Sequence, residues 1–452
     1  MNLSGKQLEF RNTSPRSNPY RVLILLVLVV ISMFAVRARQ EEKIISPFEP
    51  TPTATRGASS FVLEGETHFA AGDLDKAIQS YLNAITLDDQ NYQLWYELAR
   101  IRAYSSQLLT TDVEQLARLQ EALEAVDKAI ELAPEDSSAH AIRSFVLDWL
   151  ADSSLVDDEA ASNYLTEAEQ EAVQALQLDN TNTLALAYYA EILVDQQKWL
   201  QAEQYATQAV ESNPDMMDVH RIMGYVKETL GDYLGAIESY EKAVEIMPNL
   251  TFLYIRIGLN YRVLAQRDTL NSPYYPIALE YFAKAATINE GLGIDDPIPY
   301  IALGKTYSQL GEFYAASLNV LHAVQIDPYS PDVYGQLGIV YFKARNYESA
   351  IDALKCAVRG CTAEESCAVR QCNAETDPAI TIEGMPLTSS TEVYYYSYGS
   401  VLSAMHRPYE DLCTEAVEVL ELVRLGFPDD QIAMDIVSSG EEICASYGIF
   451  PK

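Results

Sequence analysis

The chain has 452 residues, 48% of them hydrophobic, with 31 Lys and Arg against 65 Asp and Glu and a formal net charge of −34. The apolar content is ample for a core, and the charge excludes nucleic acid as the main partner, because an acidic surface repels polyanions. The charge is uneven: residues 1–57 hold eight Lys/Arg and four Asp/Glu and contribute +4, which leaves −38 on the remainder.

Residues 1–21 read as a short cytoplasmic amino terminus carrying Lys6, Arg11, Arg16 and Arg21. Val22–Val36 follows, 15 residues with Ser32 as the one polar member. Basic residues before an apolar run mark an export signal or a signal anchor. Fifteen residues fall short of the roughly 20 that span a bilayer. Tyr20, Arg21 and Arg37 flank the run and can snorkel to make up part of that length. Val36-Arg37-Ala38 offers small residues to a peptidase, so cleavage stays open. The preferred reading is an uncleaved transmembrane anchor over 22–38, because residues 39–57 form a Pro/Thr-rich linker around Ser46-Pro47, Glu49-Pro50 and Thr51-Pro52-Thr53. Such a stalk is extended and cannot pack. It is most useful when something upstream stays in the membrane.

A beat of about 34 residues begins near residue 58. Gly231, Tyr233, Ala236, Tyr240, Ala243 and Pro248 recur as Gly311, Phe313, Ala316, Val320, Ala323 and Pro328, and earlier as Gly72, Leu74, Ala77, Tyr81, Ala84 and Asp89. Tyr300, Leu303, Gly304 and Tyr307 open one unit, and Tyr334, Leu337, Gly338 and Tyr341 the next. Small residues let paired helices approach closely, aromatics fill the holes between units, and Pro134, Pro214, Pro248 and Pro328 stop each second helix. His140 and His220 fall at a bulky position of their units and read as packing residues. The spacing resembles the tetratricopeptide repeat, a helix–turn–helix unit. The resemblance implies an all-α, right-handed superhelical solenoid: eight units over 58–362, a ninth within 392–452, and a capping helix near Asp430–Tyr447. Extra residues near 104–114, 150–161 and 266–276 are expected as loops between the helices of a unit.

Residues 363–391 fit no unit and read as a Cys-rich inserted loop. Cys356, Cys361, Cys367, Cys372, Cys413 and Cys444 are the only cysteines in the chain. An even, clustered set behind an export signal predicts up to three disulfides in an oxidising compartment, with the connectivity open. That orients the repeats outside the cell membrane, on a single-pass protein. The C-x4-C and C-x5-C spacings lack the short pairs of zinc sites.

In proteins of the resembled family, first helices line a concave groove that holds partner peptides. Helical phase places Tyr96, Arg100, Arg221, Tyr225, Arg262, Lys305, Phe342 and Lys343 there as partner-groove candidates. Glu66, Asp148, Glu191 and Asp195 make the amino-terminal half acidic, whereas Arg262, Lys305 and Lys343 make the other half basic and suit an acidic partner segment. The lysine/asparagine clamp by which some relatives hold chaperone tails is absent: Val62 and Glu66 stand at its first-unit positions. No HExxH and no glycine-rich phosphate loop occurs. The reading is therefore a non-catalytic scaffold without cofactor or metal. Its partners are a protein or peptide in the groove and the membrane at its amino end. The alternative is a structural or carbohydrate-contacting component of the cell envelope.

Overall fold

A computed structural model of the chain describes residues 18–40, 56–109, 111–268, 272–373 and 375–451. It divides into two units, Met1–Arg56 and Gly57–Lys452. In the first, a helix α1 runs Pro19–Gln40. Its apolar side chains from Val22 to Phe34 are exposed. Among the described residues no helix is long and apolar enough to cross a membrane. The 15-residue run Val22–Val36 covers about 22 Å at ~1.5 Å per residue, against a hydrocarbon core of about 30 Å. Nearly all of the Pro/Thr-rich linker lies outside the described residues.

The second unit is helical almost throughout. Nine antiparallel pairs follow one another: α2 (Ala58–Ala70) with α3 (Leu74–Ile85), α4 (Tyr92–Ser106) with α5 (Asp112–Leu132), α6 (Ser137–Ala151) with α7 (Asp158–Leu178), α8 (Thr183–Asp195) with α9 (Trp199–Ser212), and α10 (Met217–Thr229) with α11 (Tyr233–Ile246). Then come α12 (Thr251–Arg267) with α13 (Tyr274–Leu292), α14 (Ile298–Gln309) with α15 (Phe313–Ile326), α16 (Pro331–Lys343) with α17 (Tyr347–Val358), and, after an insert holding α18 (Ala363–Arg370), α19 (Glu392–Met405) with α20 (Cys413–Gly426). A last helix, α21 (Gln431–Ser446), packs on α19 and α20 and closes the end. This is the expected solenoid of nine units and a cap.

The repeat positions act as their chemistry demands. A Cβ added at Gly65 would lie 2.7 Å from the Tyr81 ring, and one at Gly224 2.7 Å from Tyr240, so only glycine lets those helix pairs close. The bulky residue near the start of five first helices does more than pack. Trp95 Nε1 donates to Asp89 O at 2.9 Å, and the hydroxyls of Tyr254 and Tyr334 donate to Pro248 O and Pro328 O at 2.8 and 3.0 Å. His140 and His220 stand 3.0 and 2.8 Å from Pro134 O and Pro214 O through Nε2. Five residues of three types thus satisfy the same carbonyl, six positions back, just past a helix end. An orphan carbonyl left there has no helical partner. Packing alone is therefore too small a role for the two histidines.

The extra residues in the second, third and sixth units enter helices more than loops. α5 and α7 have 21 residues each and α13 has 19, whereas α11 has 14. The added turns of α5 and α7 are capped: Thr111 Oγ1 accepts from Glu114 N, and Asp157 from Ala160 N. What remains as loop among the described residues is 107–109, 111, 152–157, 268, 272 and 273; residues 110 and 269–271 lie outside the described residues.

The insert is also more ordered than a loop. α18 begins with a reciprocal cap between Thr362 and Glu365, and Gly360–Cys361 pairs antiparallel with Ile382–Glu383. Three disulfides form: Cys356–Cys361, Cys367–Cys372 and Cys413–Cys444. The first two staple the insert. The third joins α20 to the capping helix. Near its end the insert returns to the amino-terminal units, where the Asp112 carboxylate accepts from Ser154 at 2.6 Å, Thr388 at 3.2 Å and Ser390 at 2.5 Å.

Candidate functional site

The first helices of successive units face inward, and their inner side chains divide into two regions. In units two to six they reach across and touch each other. Asp218, 2% exposed at the start of α10, is the centre. It accepts from Arg100 Nη1 at 3.1 and 3.3 Å, from Tyr188 at 2.9 Å, and from the Tyr104 hydroxyl. Arg100 also binds Glu97 at 2.9 Å. Nearby, Arg221 makes a two-pronged pair with Glu191 at 2.8 and 2.6 Å, and Trp149 Nε1 donates to the same carboxylate at 3.2 Å.

Rings close round these charges. Phe145 stacks on Tyr188 with centroids 4.5 Å apart, Tyr104 stacks on Phe252 at 5.5 Å, and the Arg221 guanidinium lies over Tyr104, Phe145 and Trp149 at 5.4–5.6 Å. Burial pushes the Asp218 carboxyl up, but Arg100 and the Tyr104 hydroxyl outweigh it and hold it below the usual range. Burial likewise opposes charge on Arg100, and Glu97 and Asp218 more than restore it. Around Asp218 and Glu191 this region is an ionic and aromatic core whose arginines are paired from within.

Arg100 and Arg221, expected to face a partner, are thus paired with the chain's own carboxylates. Tyr225 donates to Asp195 at 2.7 Å. Tyr96 is half-buried beside Tyr92. With Glu66, Phe69 and Arg100 it lines an outer recess of about 590 Å³ between the first two units. Burial, then the Glu97 charge, pushes the Tyr96 phenol up to about 12.

Units six to eight differ. Arg262 on α12 and Lys343 on α16 lie close enough to Lys305 on α14 to lower its ammonium pKa, and among the described residues none of the three has a carboxylate oxygen within 4.0 Å. Lys305 and Lys343 reach solvent. Burial lowers the ammonium pKa of Lys305, Asp332 pulls it back, and Arg262 and Lys343 lower it further. Burial lowers Arg262 as well, and its Nη1 is enclosed without a hydrogen-bond partner. Its guanidinium lies 5.9 Å from the centre of the Phe282 ring. Asp332 is engaged elsewhere, accepting from the Tyr394 hydroxyl at 2.6 Å. Phe342, half-buried against Tyr347, adds an apolar surface next to Lys343. The arrangement is three cations on consecutive first helices, none in a salt bridge among the described residues and only Lys305 partly offset by the more distant Asp332, in a body whose charge is otherwise strongly acidic.

Helical phase alone missed Asp218, Tyr104 and Tyr188. A signal existed. Asp218 and Asp332 both stand two residues before the bulky position of their units (Asp218-Val219-His220 and Asp332-Val333-Tyr334), a slot held by Gln93, Ser138, Phe252 and Ile298 elsewhere. An aspartate at that slot collects tyrosine hydroxyls from other units in both cases.

Two tetratricopeptide-repeat family models match the sequence, one over residues 185–250 and one over 58–91. The chain thus contains tetratricopeptide repeats, which generally mediate protein–protein interaction. No curated protein sequence matches significantly. Among solved structures the chain is similar to the human IFIT1 dimer with PPP-AAAA, at 15% identity and a TM-score of 0.51, covering 87% of this chain and 92% of that one. It is also similar to yeast Tom70, at 14% identity and a TM-score of 0.40, covering 85% and 92% of the two chains. A thermophilic tetratricopeptide-repeat protein of Thermus thermophilus matches at 19% identity and a TM-score of 0.37, covering 45% of this chain and 98% of its own. At these identities the likeness is one of fold.

Proposed function

We propose that the chain is a non-catalytic scaffold that holds an acidic segment of a partner protein against units six to eight. The observation that carries this reading is the unpaired set Arg262, Lys305 and Lys343. Three cations without carboxylate partners repel one another, and a partner carboxylate relieves that repulsion while forming charge-assisted hydrogen bonds. Phe342 supplies the apolar contact beside them. The amino-terminal half offers no comparable opening for an acidic segment, because Arg100 and Arg221 are already taken.

The scaffold works at a membrane in this reading, with α1 as its attachment and the repeats on the extracytoplasmic side. The exposed apolar run of α1 and the three disulfides support it. Tyr20, Arg21 and Arg37 make up part of the missing span by snorkelling. The test of the binding reading is a panel of labelled acidic ten-residue peptides, measured by fluorescence anisotropy against the wild type and against Arg262→Glu/Lys305→Glu/Lys343→Glu. Peptides bound by the wild type lose at least tenfold in affinity in the variant. Equal binding would remove the triad from the account.

A further inference from the structure

A second cavity lies apart from the triad and does not depend on it. It has a volume of about 210 Å³ and opens where the inner ends of α4, α6, α8 and α10 converge. Its rim includes Gln107 and Ser153, from the two short loops left by the extra residues of units two and three. The additions that break the repeat's register thus meet at one opening.

The charges inside do not cancel. Glu191 is neutralised by Arg221 at 2.6 Å, and the lining Arg256 by Glu228 at 2.9 Å. Asp152 and Asp195 also line the cavity, and neither has a cation within 4.0 Å among the described residues. Asp148 stands behind Asp195, 1% exposed, and no donor reaches either of its oxygens. Its close neighbour is the Asp195 carboxyl itself, so one proton must be shared for the two to meet. The walls are Trp149, Tyr225, Tyr240 and Phe252. Aromatic faces beside unpaired carboxylates favour an organic cation. Among the described residues no three His, Cys, Asp or Glu are grouped to hold a metal ion. The volume is below the roughly 300–1,000 Å³ of sites for drug-sized ligands, and suits one head group.

We infer that this cavity is a binding site for an alkylammonium or guanidinium group, received by Asp195, Asp148 and Asp152 between aromatic walls. The entering cation takes the place of the shared proton. The groups facing Asp195 are Asp148 and Asp152 from α6 and its cap, Glu191 from α8, and Arg221 and Tyr225 from α10; Tyr240 and Arg256 stand on the far wall. Burial is the main cause that raises the Asp195 carboxyl, to about 7. The cation binds the deprotonated form, so affinity rises with pH.

The test is calorimetric titration of the whole chain with butylammonium and butylguanidinium, with 1-butanol as the neutral control, at pH 6 and pH 8. The expected result is saturable binding of the cations, about tenfold tighter at pH 8, since the competent fraction changes by that factor. Asp195→Asn is expected to weaken binding at least tenfold. Asp152→Asn, at the exposed rim, is expected to weaken it about threefold. Spermidine in parallel separates the sources of the cation: much tighter binding assigns a free polyamine, and equal binding a protein side chain, each on the same site. Butanol binding as well as the cations, affinity independent of pH, or both variants behaving as wild type would overturn the inference.

Discussion

Units two to five and units six to eight are built on one repeat, yet their inner faces solve opposite problems. In the first region each cation has a carboxylate: Arg100 has Glu97 and Asp218, and Arg221 has Glu191. In the second, Arg262, Lys305 and Lys343 are left without one. The difference teaches that a concave face is not a binding surface by geometry alone. Where opposite walls meet, as Tyr104 and Phe252 do, the face becomes core. Where they do not, unpaired charge is left for a partner.

The sharpest way to break this contrast is at its two matching aspartates. Asp218→Ala leaves the buried Arg100 with Glu97 as its one carboxylate and two tyrosine hydroxyls unmet, and loss of one member of a buried pair costs about 3–5 kcal/mol. Asp332→Ala removes acceptors from Tyr394 and Gln336 and is expected to cost about 1–3 kcal/mol. Urea melts of both variants check the order, and an equal loss would remove the distinction between core and open groove. The cap is next. Replacing Cys413 and Cys444 by serine frees a link across 31 residues, with an expected loss of about 2–4 kcal/mol. Proteolysis near α21 should report it first. A smaller effect is expected from Gly224→Ala, where a Cβ meets the Tyr240 ring at 2.7 Å. Overpacking of this kind costs about 1–3 kcal/mol in a thermal melt.

The weakest effect is one of pH. Burial raises the Asp195 carboxyl to about 7, above its unfolded value of about 3.9. The folded chain therefore holds a proton that the unfolded chain has lost. The stability this confers is full below the unfolded value and is lost as pH rises towards 7. Asp218 is shifted the other way, so its contribution is lost as pH falls through its lowered pKa. Asp195→Asn is thus expected to flatten the fall in melting temperature between pH 5 and pH 7.5. An unchanged slope would deny that Asp195 carries the proton.

Much of the fold was legible because the repeat writes its contacts locally. Gly224 and Tyr240, or Pro214 and His220, lie within one unit or at its junction, so their spacing carries their role. The insertions were legible as breaks in register but not as longer helices, although Thr111 and Asp157 are cap residues placed to start them. The insert's helix was signalled by Thr362-x-x-Glu365, a reciprocal cap hidden by the surrounding cysteines. The disulfide pairs were not legible, since six cysteines allow 15 connectivities. Least legible was the closure between units. Arg100 and Asp218 are 118 residues apart, and nothing in a period of about 34 residues says which turns meet. Three of the groove candidates, Arg262, Lys305 and Lys343, come together in space, and two, Arg100 and Arg221, are turned inward by that closure.

The central claim is that binding of an acidic partner segment belongs to the open half. Its most direct measurement compares two variants against one labelled acidic peptide bound by the wild type. Charge reversal at Arg262, Lys305 and Lys343 is predicted to reduce affinity at least tenfold. Tyr96→Ala, in the outer recess of the first two units, is predicted to leave affinity within twofold. The opposite pattern, with the triad variant binding as wild type and Tyr96→Ala losing affinity, would contradict the account.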